Sequence, residues 1–217
     1  MFAGIAERYD LANHVLSGGA DFLWRACAAR MVAATRPRAI LDLATGSGDL
    51  AVALMRACPE ARVVGADFCA PMLKIAASKG VQTVEADALE LPFGNGEFDA
   101  VTVAFGLRNM VSRERALVEM ARVLAPGGLL VVMDFAMPRW NVWRKIYGFY
   151  LHRVLPRLAG WLTRHPESYE YLGASIEAFP RWEAMLAMIN DSGFSGARSR
   201  SLFGGIAAIY HARRTRQ

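Results

Sequence analysis

The sequence predicts an α/β fold with a mostly parallel sheet and helices on both of its faces. Short apolar runs alternate with helical patterns along the first two thirds of the chain. Several of these runs end in a carboxylate, and the C-terminal part alternates around Gly204-Gly205 as a closing antiparallel hairpin would. We expect seven strands: five near 39–44, 62–67, 81–86, 98–104 and 128–135, and two in the hairpin from Gly193 onward. Helices are expected near 48–58, 70–79 and 113–124.

The first expected strand ends at Asp42 and leads into a glycine-rich turn with Gly46 and Gly48. Glycines suit such a turn because a side chain would block close approach of the backbone to a ligand. Asp42 and Asp49 stand on both sides of the turn, where they would repel a pyrophosphate and attract a cationic ligand. S-adenosylmethionine, with its sulfonium, ammonium and ribose, is such a ligand. The turn therefore favours a methyltransferase over a dinucleotide oxidoreductase.

The second and third expected strands end in Asp67 and Asp87. An acid at the end of the second strand of a βαβ unit accepts hydrogen bonds from ribose hydroxyls, and dinucleotide enzymes share it. Asp87 is placed to accept from an adenine amino group. Each Asp taken singly is more often a helix cap or a solvated loop residue than a ligand contact. Acids at three consecutive strand ends beside a glycine turn favour a cofactor site.

Composition narrows the setting of the protein. The chain has 217 residues and is 54% hydrophobic, yet it contains no apolar stretch long enough to span a membrane. Its three cysteines lack metal-ligand spacing, so we expect reduced thiols, a cytoplasmic protein and no metal site. A net charge of +5 suits an acidic surface. Of the two acidic surfaces considered, lipid and nucleic acid, we expect lipid.

The domain organisation is expected to be simple: one domain over 1–217, with two helical additions. The first addition is an N-terminal segment, 1–36, with a helix from about Asp21 to Thr35. The second is an insertion at 138–191, with two or three helices. Ligands bind at the carboxyl ends of parallel strands. We expect both additions to cover that end of the sheet as a lid.

The segment 139–165 has the pattern of a basic amphipathic helix. Aromatic and basic side chains of this kind suit a bilayer interface, which predicts peripheral attachment to the inner face of the plasma membrane. The alternative is a lid helix that packs its aromatic residues on the core, and Pro156 argues against one straight helix. The apolar face contains Trp143, Tyr147, Tyr150, Val154, Leu158 and Trp161, and Arg139, Arg153, Arg157 and Arg164 flank it.

Several motifs make the chain resemble the ubiquinone/menaquinone biosynthesis C-methyltransferase family over nearly its whole length. They are the N-terminal FAGIAERYDLAN at 2–13 with Leu23-Trp24-Arg25, the segments ALELPF at 88–93 and FGLRN at 105–109, and the lid motifs YGFY at 147–150 and ESYEYLGASI at 167–176. The resemblance implies a class I S-adenosylmethionine-dependent methyltransferase fold with a helical lid. It also implies a polyprenylated quinol as the substrate.

Carried over position by position, the resemblance implies cofactor contacts at Ser47, Asp67, Asp87, Ala88 and Ala104. With Asp42, Gly46, Gly48 and Phe68, these make up the predicted cofactor site. Ser47 stands where many members have threonine and keeps the hydroxyl. Ala104 stands where some relatives have serine, so one hydroxyl contact is absent.

The resemblance also implies methyl transfer to a ring carbon, which becomes nucleophilic once a neighbouring ring hydroxyl loses its proton. Arg108 is the candidate for stabilising that phenolate as a fixed cation. It is a poor base, because its own pKa is above about 12. Asn109 would hold the ring oxygen or a water, and Tyr9 and Asp10 are candidates for closing the site.

Two rival functions remain compatible with the sequence. One is methylation of another small aromatic or lipid-like acceptor by the same cofactor site. The other is a non-catalytic cofactor-binding subunit of a quinone-biosynthesis complex, against which the presence of Asp67, Arg108 and Asn109 argues. A homodimer or a biosynthetic-complex partner fits either function.

Overall fold

In the computed structural model, the described part of the chain comprises residue 17, residues 19–154 and residues 167–216. The strands are β1 (Ala39–Leu43), β2 (Arg62–Asp67), β3 (Gln82–Glu85), β4 (Phe98–Ala104), β5 (Leu124–Phe135), β6 (Phe194–Leu202) and β7 (Ala207–Arg214). These seven strands form one sheet in the order β3-β2-β1-β4-β5-β7-β6. The strands β1 to β5 run parallel, whereas β7 is antiparallel to both β5 and β6. The predicted mostly parallel sheet with a C-terminal antiparallel hairpin is confirmed.

The helices connect and cover these strands. A 3-10 turn, Leu107–Asn109, follows β4, and a π-helical turn, Tyr150–Val154, follows the helix Asn141–Phe149. The short turn Phe203–Gly205 joins β6 to β7, so the hairpin turn lies at the predicted glycines. The α-helices of the described residues are α1 (Asp21–Ala33), α2 (Asp49–Ala57), α3 (Ala70–Ser78), α4 (Arg113–Val123), α5 (Asn141–Phe149), α6 (Glu167–Ala178) and α7 (Trp182–Asp191).

The sheet separates two apolar layers. Trp24 of α1 and Leu54 of α2 belong to the layer on one face, and Leu117 of α4 and Met185 of α7 belong to the other. The central strands are buried on both sides, which explains their continuous apolar sequence. Because helices cover both faces, the carboxyl ends of β1, β2 and β4 are left as the place where a ligand can approach the sheet.

The fifth strand differs from its prediction at its beginning. It was expected from residue 128, but it begins at Leu124, which pairs with Phe98 before the register shifts to Ala100 opposite Leu129. The Pro-Gly-Gly segment therefore forms an irregularity within the strand instead of a turn ahead of it. Glycine is required at 128, because a Cβ there would lie 2.8 Å from the carbonyl oxygen of Ala125.

The described part of the segment 139–165 shows where some of its aromatic side chains lie. Tyr147 is buried and its ring stacks on that of half-buried Tyr150, with 6.2 Å between the ring centroids. Tyr147 therefore packs inward and does not lie at a bilayer interface, whereas Trp143 of the same predicted face is 40% exposed, and peripheral membrane attachment stays a prediction. The α-helix ends at Phe149, where the π-helical turn begins. Leu158, Trp161, Arg157 and Arg164 lie outside the described residues.

A different face of α5 is exposed. Val142, Ile146 and Phe149 recur at helical spacing and are 73%, 52% and 64% exposed. No helix in the described ranges is both long enough and apolar enough to cross a membrane. The apolar surface of α5 is therefore a stripe on the outside of the molecule.

Candidate active site

A cleft of about 390 Å³ opens at the carboxyl ends of β1, β2 and β4. This volume falls within the range typical of small-molecule sites. A smaller cavity of about 50 Å³ continues from it, since Ala44, Gly46, Met72, Ala104 and Phe105 line both. The two cavities are the two ends of one binding site.

The glycine turn shapes the junction between these two ends. Gly46 has a φ of +56° and lines both cavities. Gly48 precedes α2 with a φ of +84°, and it lines neither cavity. A Cβ on Gly48 would lie 2.9 Å from the Cβ of Ala76 on α3, so this glycine is needed for helix packing. Its predicted contact with the cofactor remains a prediction.

Asp42 lies at the floor of the smaller cavity with only 1% of its surface exposed. Its carboxylate accepts hydrogen bonds from the Thr102 hydroxyl at 2.6 Å and the Thr45 hydroxyl at 2.7 Å. Burial raises the pKa of Asp42 to about 6, although both hydroxyls and the charge of Arg25 act in the opposite direction. A cation bound here would favour the ionised carboxylate.

Asp67, at the end of β2, lines the larger cavity as predicted. One carboxylate oxygen accepts from the backbone N–H of Gly46 and the other from that of Cys69, both at 2.9 Å. Burial raises its pKa, and these backbone hydrogen bonds counteract the rise. Each oxygen retains acceptor capacity for a further donor, such as a ribose hydroxyl.

The side of the larger cavity next to β3 has the features of an adenine slot. Phe68, Met72 and Leu89 supply apolar surface, and Ala88 allows close approach beside them. Asp87 lines the same slot, and its Oδ1 accepts from the N–H of Leu89 at 2.8 Å. An apolar slot edged by a carboxylate fits a flat ring with an exocyclic amino group.

A basic side chain that was not among the predicted site residues also lines the smaller cavity. Arg25 of α1 lines it together with Ser47 and Asp49. Asp49 forms an ion pair with Lys79 at 2.6 Å, so only part of its charge acts on a ligand. The motif Leu23-Trp24-Arg25 was visible in the sequence, but nothing in it indicated that Arg25 would reach the end of β1.

The charges around the smaller cavity complement S-adenosylmethionine. Asp21, Asp42 and Asp49 carry three negative charges when ionised, against two positive charges on Arg25 and Lys79. The net excess of one negative charge matches the net charge of the cofactor, whose sulfonium and ammonium outnumber its carboxylate. Which residues contact the ribose, adenine and methionine portions of the cofactor stays a prediction.

The FGLRN segment turns from β4 across the mouth of the cleft. Asn109 lines the larger cavity and its amide nitrogen donates to the Phe105 carbonyl at 3.5 Å. A Cβ on Gly106 would lie 2.5 Å from the Cβ of Ala44, so glycine lets this segment pass against the glycine turn. The FGLRN segment therefore passes directly against the glycine turn.

Arg108 is placed differently from its neighbour. Its guanidinium is fully buried, forms an ion pair with Asp134 at 2.5 Å and lies over the Phe135 ring, and it does not line the cleft. Tyr9 and Asp10 lie outside the described residues.

Among the residues whose placement is described, no group of three or more His, Cys, Asp and Glu side chains is arranged to hold a metal ion.

Comparison with known proteins agrees with this geometry. The model of the ubiE/COQ5 methyltransferase family matches residues 1–214. A demethylmenaquinone methyltransferase from Thermus thermophilus is 50% identical over 97% of this chain and 98% of its own length. One from Deinococcus radiodurans is 42% identical over 97% of this chain and 89% of its own length.

Solved structures show the same fold at low sequence identity. A SAM-dependent methyltransferase from Thermotoga maritima superposes with a TM-score of 0.67 at 16% identity, covering 99% of this chain and 98% of the other. One from Aquifex aeolicus gives 0.59 at 16% identity, covering 82% of each chain. The class I methyltransferase fold expected from the sequence is confirmed. The chain belongs to the ubiE/COQ5 methyltransferase family, the quinone-biosynthesis C-methyltransferases that its motifs resemble, and is an S-adenosylmethionine-dependent methyltransferase.

Proposed function

We propose that the acceptor is demethylmenaquinol, which receives the methyl group on a ring carbon. The observation that carries this proposal is the 50% identity, over nearly the full length of both chains, to a protein named demethylmenaquinone methyltransferase. A second such relative, from Deinococcus radiodurans, supports the same acceptor. Between the two ring systems that the sequence left open, we choose the naphthoquinol over the benzoquinol.

When bound, S-adenosylmethionine supplies an electrophilic methyl group on a positively charged sulfur. The residues of the chain must then make the ring carbon nucleophilic by favouring the phenolate form of the acceptor. Asn109 lines the cleft and would hold the ring oxygen or a water next to it. The turn that carries Asn109 packs against Ala44 on one side and is hydrogen-bonded to Asp134 on the other. These contacts keep the amide in place, as alignment with the methyl group requires.

Arg108 would contribute its charge from a buried position outside the cleft lining. The guanidinium is paired with Asp134, which reduces its attraction for a phenolate but holds it in one orientation. The backbone N–H of Arg108 donates to the other oxygen of Asp134 at 3.3 Å, so the 3-10 turn is attached to β5 at two points. We assign Arg108 a positioning role for Asn109 in addition to its predicted stabilisation of the phenolate. Tyr9 and Asp10 remain candidates for closing the site.

The acceptor preference is tested by competition. Purified protein would receive S-adenosylmethionine with equal concentrations of a short-chain demethylmenaquinol and the corresponding demethylated benzoquinol, and both products would be quantified by mass spectrometry. We expect kcat/KM to favour the naphthoquinol by at least about tenfold, which corresponds to roughly 1.4 kcal/mol. Equal use of both rings, or preference for the benzoquinol, would contradict the choice of acceptor.

The protein would work at the cytoplasmic face of the membrane, where a polyprenylated acceptor resides. The exposed stripe of α5, made of Val142, Ile146 and Phe149, provides the apolar contact. Lys145 and Arg153 are exposed beside it and suit anionic headgroups. The proposed membrane contact is therefore a different face of α5 from the aromatic face that the sequence predicts.

Vesicle co-sedimentation tests this attachment. Protein at low salt would be mixed with vesicles containing phosphatidylglycerol, and a triple variant, Val142→Ser/Ile146→Ser/Phe149→Ser, should lose at least about tenfold in partitioning, because three exposed apolar side chains are removed. Val118→Ser on α4, which is 54% exposed on another helix, is the control and should bind like the wild type. Unchanged binding of the triple variant, or wild-type protein that stays in the supernatant, would argue against membrane attachment through α5.

A further inference from the structure

Arg25 lines the smaller cavity, and the chemistry of the cofactor suggests a role for its charge. Arg25 lines this cavity and is 6% exposed. Among the described residues that line either end of the cleft, Arg25 alone carries a positive charge. The other charged groups there are the carboxylates of Asp42 and Asp49. A buried arginine at one end of a site that otherwise attracts cations requires an explanation.

The orientation of Arg25 is fixed from two directions. Its Nη1 forms an ion pair with Asp21, one turn earlier on α1, and the hydroxyl of Ser17 donates to the other oxygen of Asp21 at 2.8 Å. The guanidinium carbon lies 5.8 Å from the centroid of the Phe105 ring. Because the side chain is held in this way, it loses little conformational entropy when it binds a ligand.

The second nitrogen of the guanidinium is held less tightly. Nη2 lies 3.8 Å from Oδ2 of Asp49, which is beyond hydrogen-bonding distance. The other oxygen of Asp49 is already engaged by Lys79 at 2.6 Å. A guanidinium has five N–H donors in a planar fork that matches a carboxylate, so Arg25 can keep Asp21 and bind a second anion.

We propose that Arg25 binds the α-carboxylate of the methionine portion of S-adenosylmethionine. Asp42 attracts the cationic groups and Arg25 the anionic one, so the two side chains together fix which way round the methionine portion lies. The N-terminus of α2 reaches the same cavity through Ser47 and Asp49, and its dipole also favours a carboxylate there. This inference rests on the cofactor of the family and is independent of the identity of the acceptor.

Decarboxylated S-adenosylmethionine provides the sharpest test, because it lacks only the carboxylate. Isothermal titration calorimetry would compare its affinity with that of S-adenosylmethionine for the wild type and for Arg25→Met. We expect the substitution to weaken S-adenosylmethionine binding by about 10- to 100-fold, the usual effect of losing a charge-assisted hydrogen bond. Binding of the decarboxylated ligand should change by less than about threefold, since it makes no such bond. The affinity of Arg25→Lys for S-adenosylmethionine should lie between those of the wild type and Arg25→Met.

Two further variants separate binding from folding. Arg30→Met alters an exposed arginine of the same helix and should leave both affinities unchanged. Asp21→Asn combined with Arg25→Met removes both members of the ion pair and should show the same selective loss in a protein without an uncompensated Asp21. Equal weakening of both ligands, or no weakening of either, would overturn the proposal. A wild type that binds S-adenosylmethionine but methylates no quinol would instead refute the acceptor alone.

Discussion

At the scale of single residues, Asp42 links the electrostatics of the cleft to pH. In the apo protein, burial raises the pKa of its carboxyl from 3.8 to about 6, so the folded state holds a proton that the unfolded chain releases between these values. Asp42 therefore lowers the free energy of unfolding as pH rises through this window. A bound cation has the opposite effect, because it stabilises the ionised carboxylate.

Cofactor affinity should consequently rise with pH. We expect the affinity for S-adenosylmethionine to increase between pH 5 and pH 7, as the Asp42 carboxyl loses its proton near pH 6. Calorimetry in buffers of different ionisation enthalpy should also detect proton release on binding at pH 5.5. The Asp42→Asn variant should bind more weakly with a flat profile over this range. A variant with the same pH dependence as the wild type would show that another group is responsible.

Gly48 and Gly80 offer a matched pair of substitutions. Their φ angles are +84° and +85°, but a Cβ at 48 would contact Ala76 at 2.9 Å, whereas a Cβ at 80 would meet nothing within 4 Å. Both changes to alanine should cost about 1–2 kcal/mol from backbone strain. Gly48→Ala should cost a further 1–3 kcal/mol or so from overpacking. Urea denaturation would measure both, and equal losses would mean that α2 and α3 adjust freely.

At the scale of secondary-structure elements, the Arg108–Asp134 ion pair joins the 3-10 turn after β4 to the end of β5. Both side chains are fully buried, and burial raises the pKa of Asp134 against the influence of Arg108. Arg108→Met should reduce the free energy of unfolding by about 3–5 kcal/mol, because it leaves Asp134 without its partner. The double variant Arg108→Met/Asp134→Asn should recover most of that loss.

Activity of the double variant tests whether Arg108 contributes to the reaction as well as to folding. If Arg108 stabilises the phenolate or positions Asn109, kcat should stay well below the wild-type value in the stable double variant, and the affinity for S-adenosylmethionine should change little. Recovery of full turnover together with stability would mean that the ion pair serves folding alone.

Strands and turns could be predicted where the sequence pattern that indicates them involves only neighbouring residues. Apolar runs and turn residues predicted all seven strands and the hairpin turn, because those patterns depend on neighbouring residues. The start of β5 was misplaced, since Pro-Gly-Gly marks a turn and an irregularity within a strand equally well. The face that α5 exposes could not be predicted either. Both faces of α5 are apolar, and only the packing of the folded chain shows that the face with Tyr147 is the buried one.

At the scale of the whole molecule, the cofactor end of the site followed from sequence because its acids occupy strand ends. Asp67 and Asp87 line the cleft as that rule requires. The roles of Arg25 and Asp134 depend on contacts between distant segments, such as Arg108 with Asp134 across 26 positions. No periodicity or spacing encodes such pairs, so the sequence predicts Arg108 in the cleft, whereas its buried guanidinium pairs with Asp134 and does not line the cleft.

We propose that this methyltransferase forms a carbon–carbon bond on a naphthoquinol ring. Transfer of a carbon-13-labelled methyl group from S-adenosylmethionine to a short-chain demethylmenaquinol, read by mass spectrometry and carbon NMR, tests that statement most directly. We predict one labelled methyl group per acceptor, with the chemical shift of a methyl on a ring carbon. A labelled methyl ether, or no labelled quinol from protein that binds the cofactor, would contradict it.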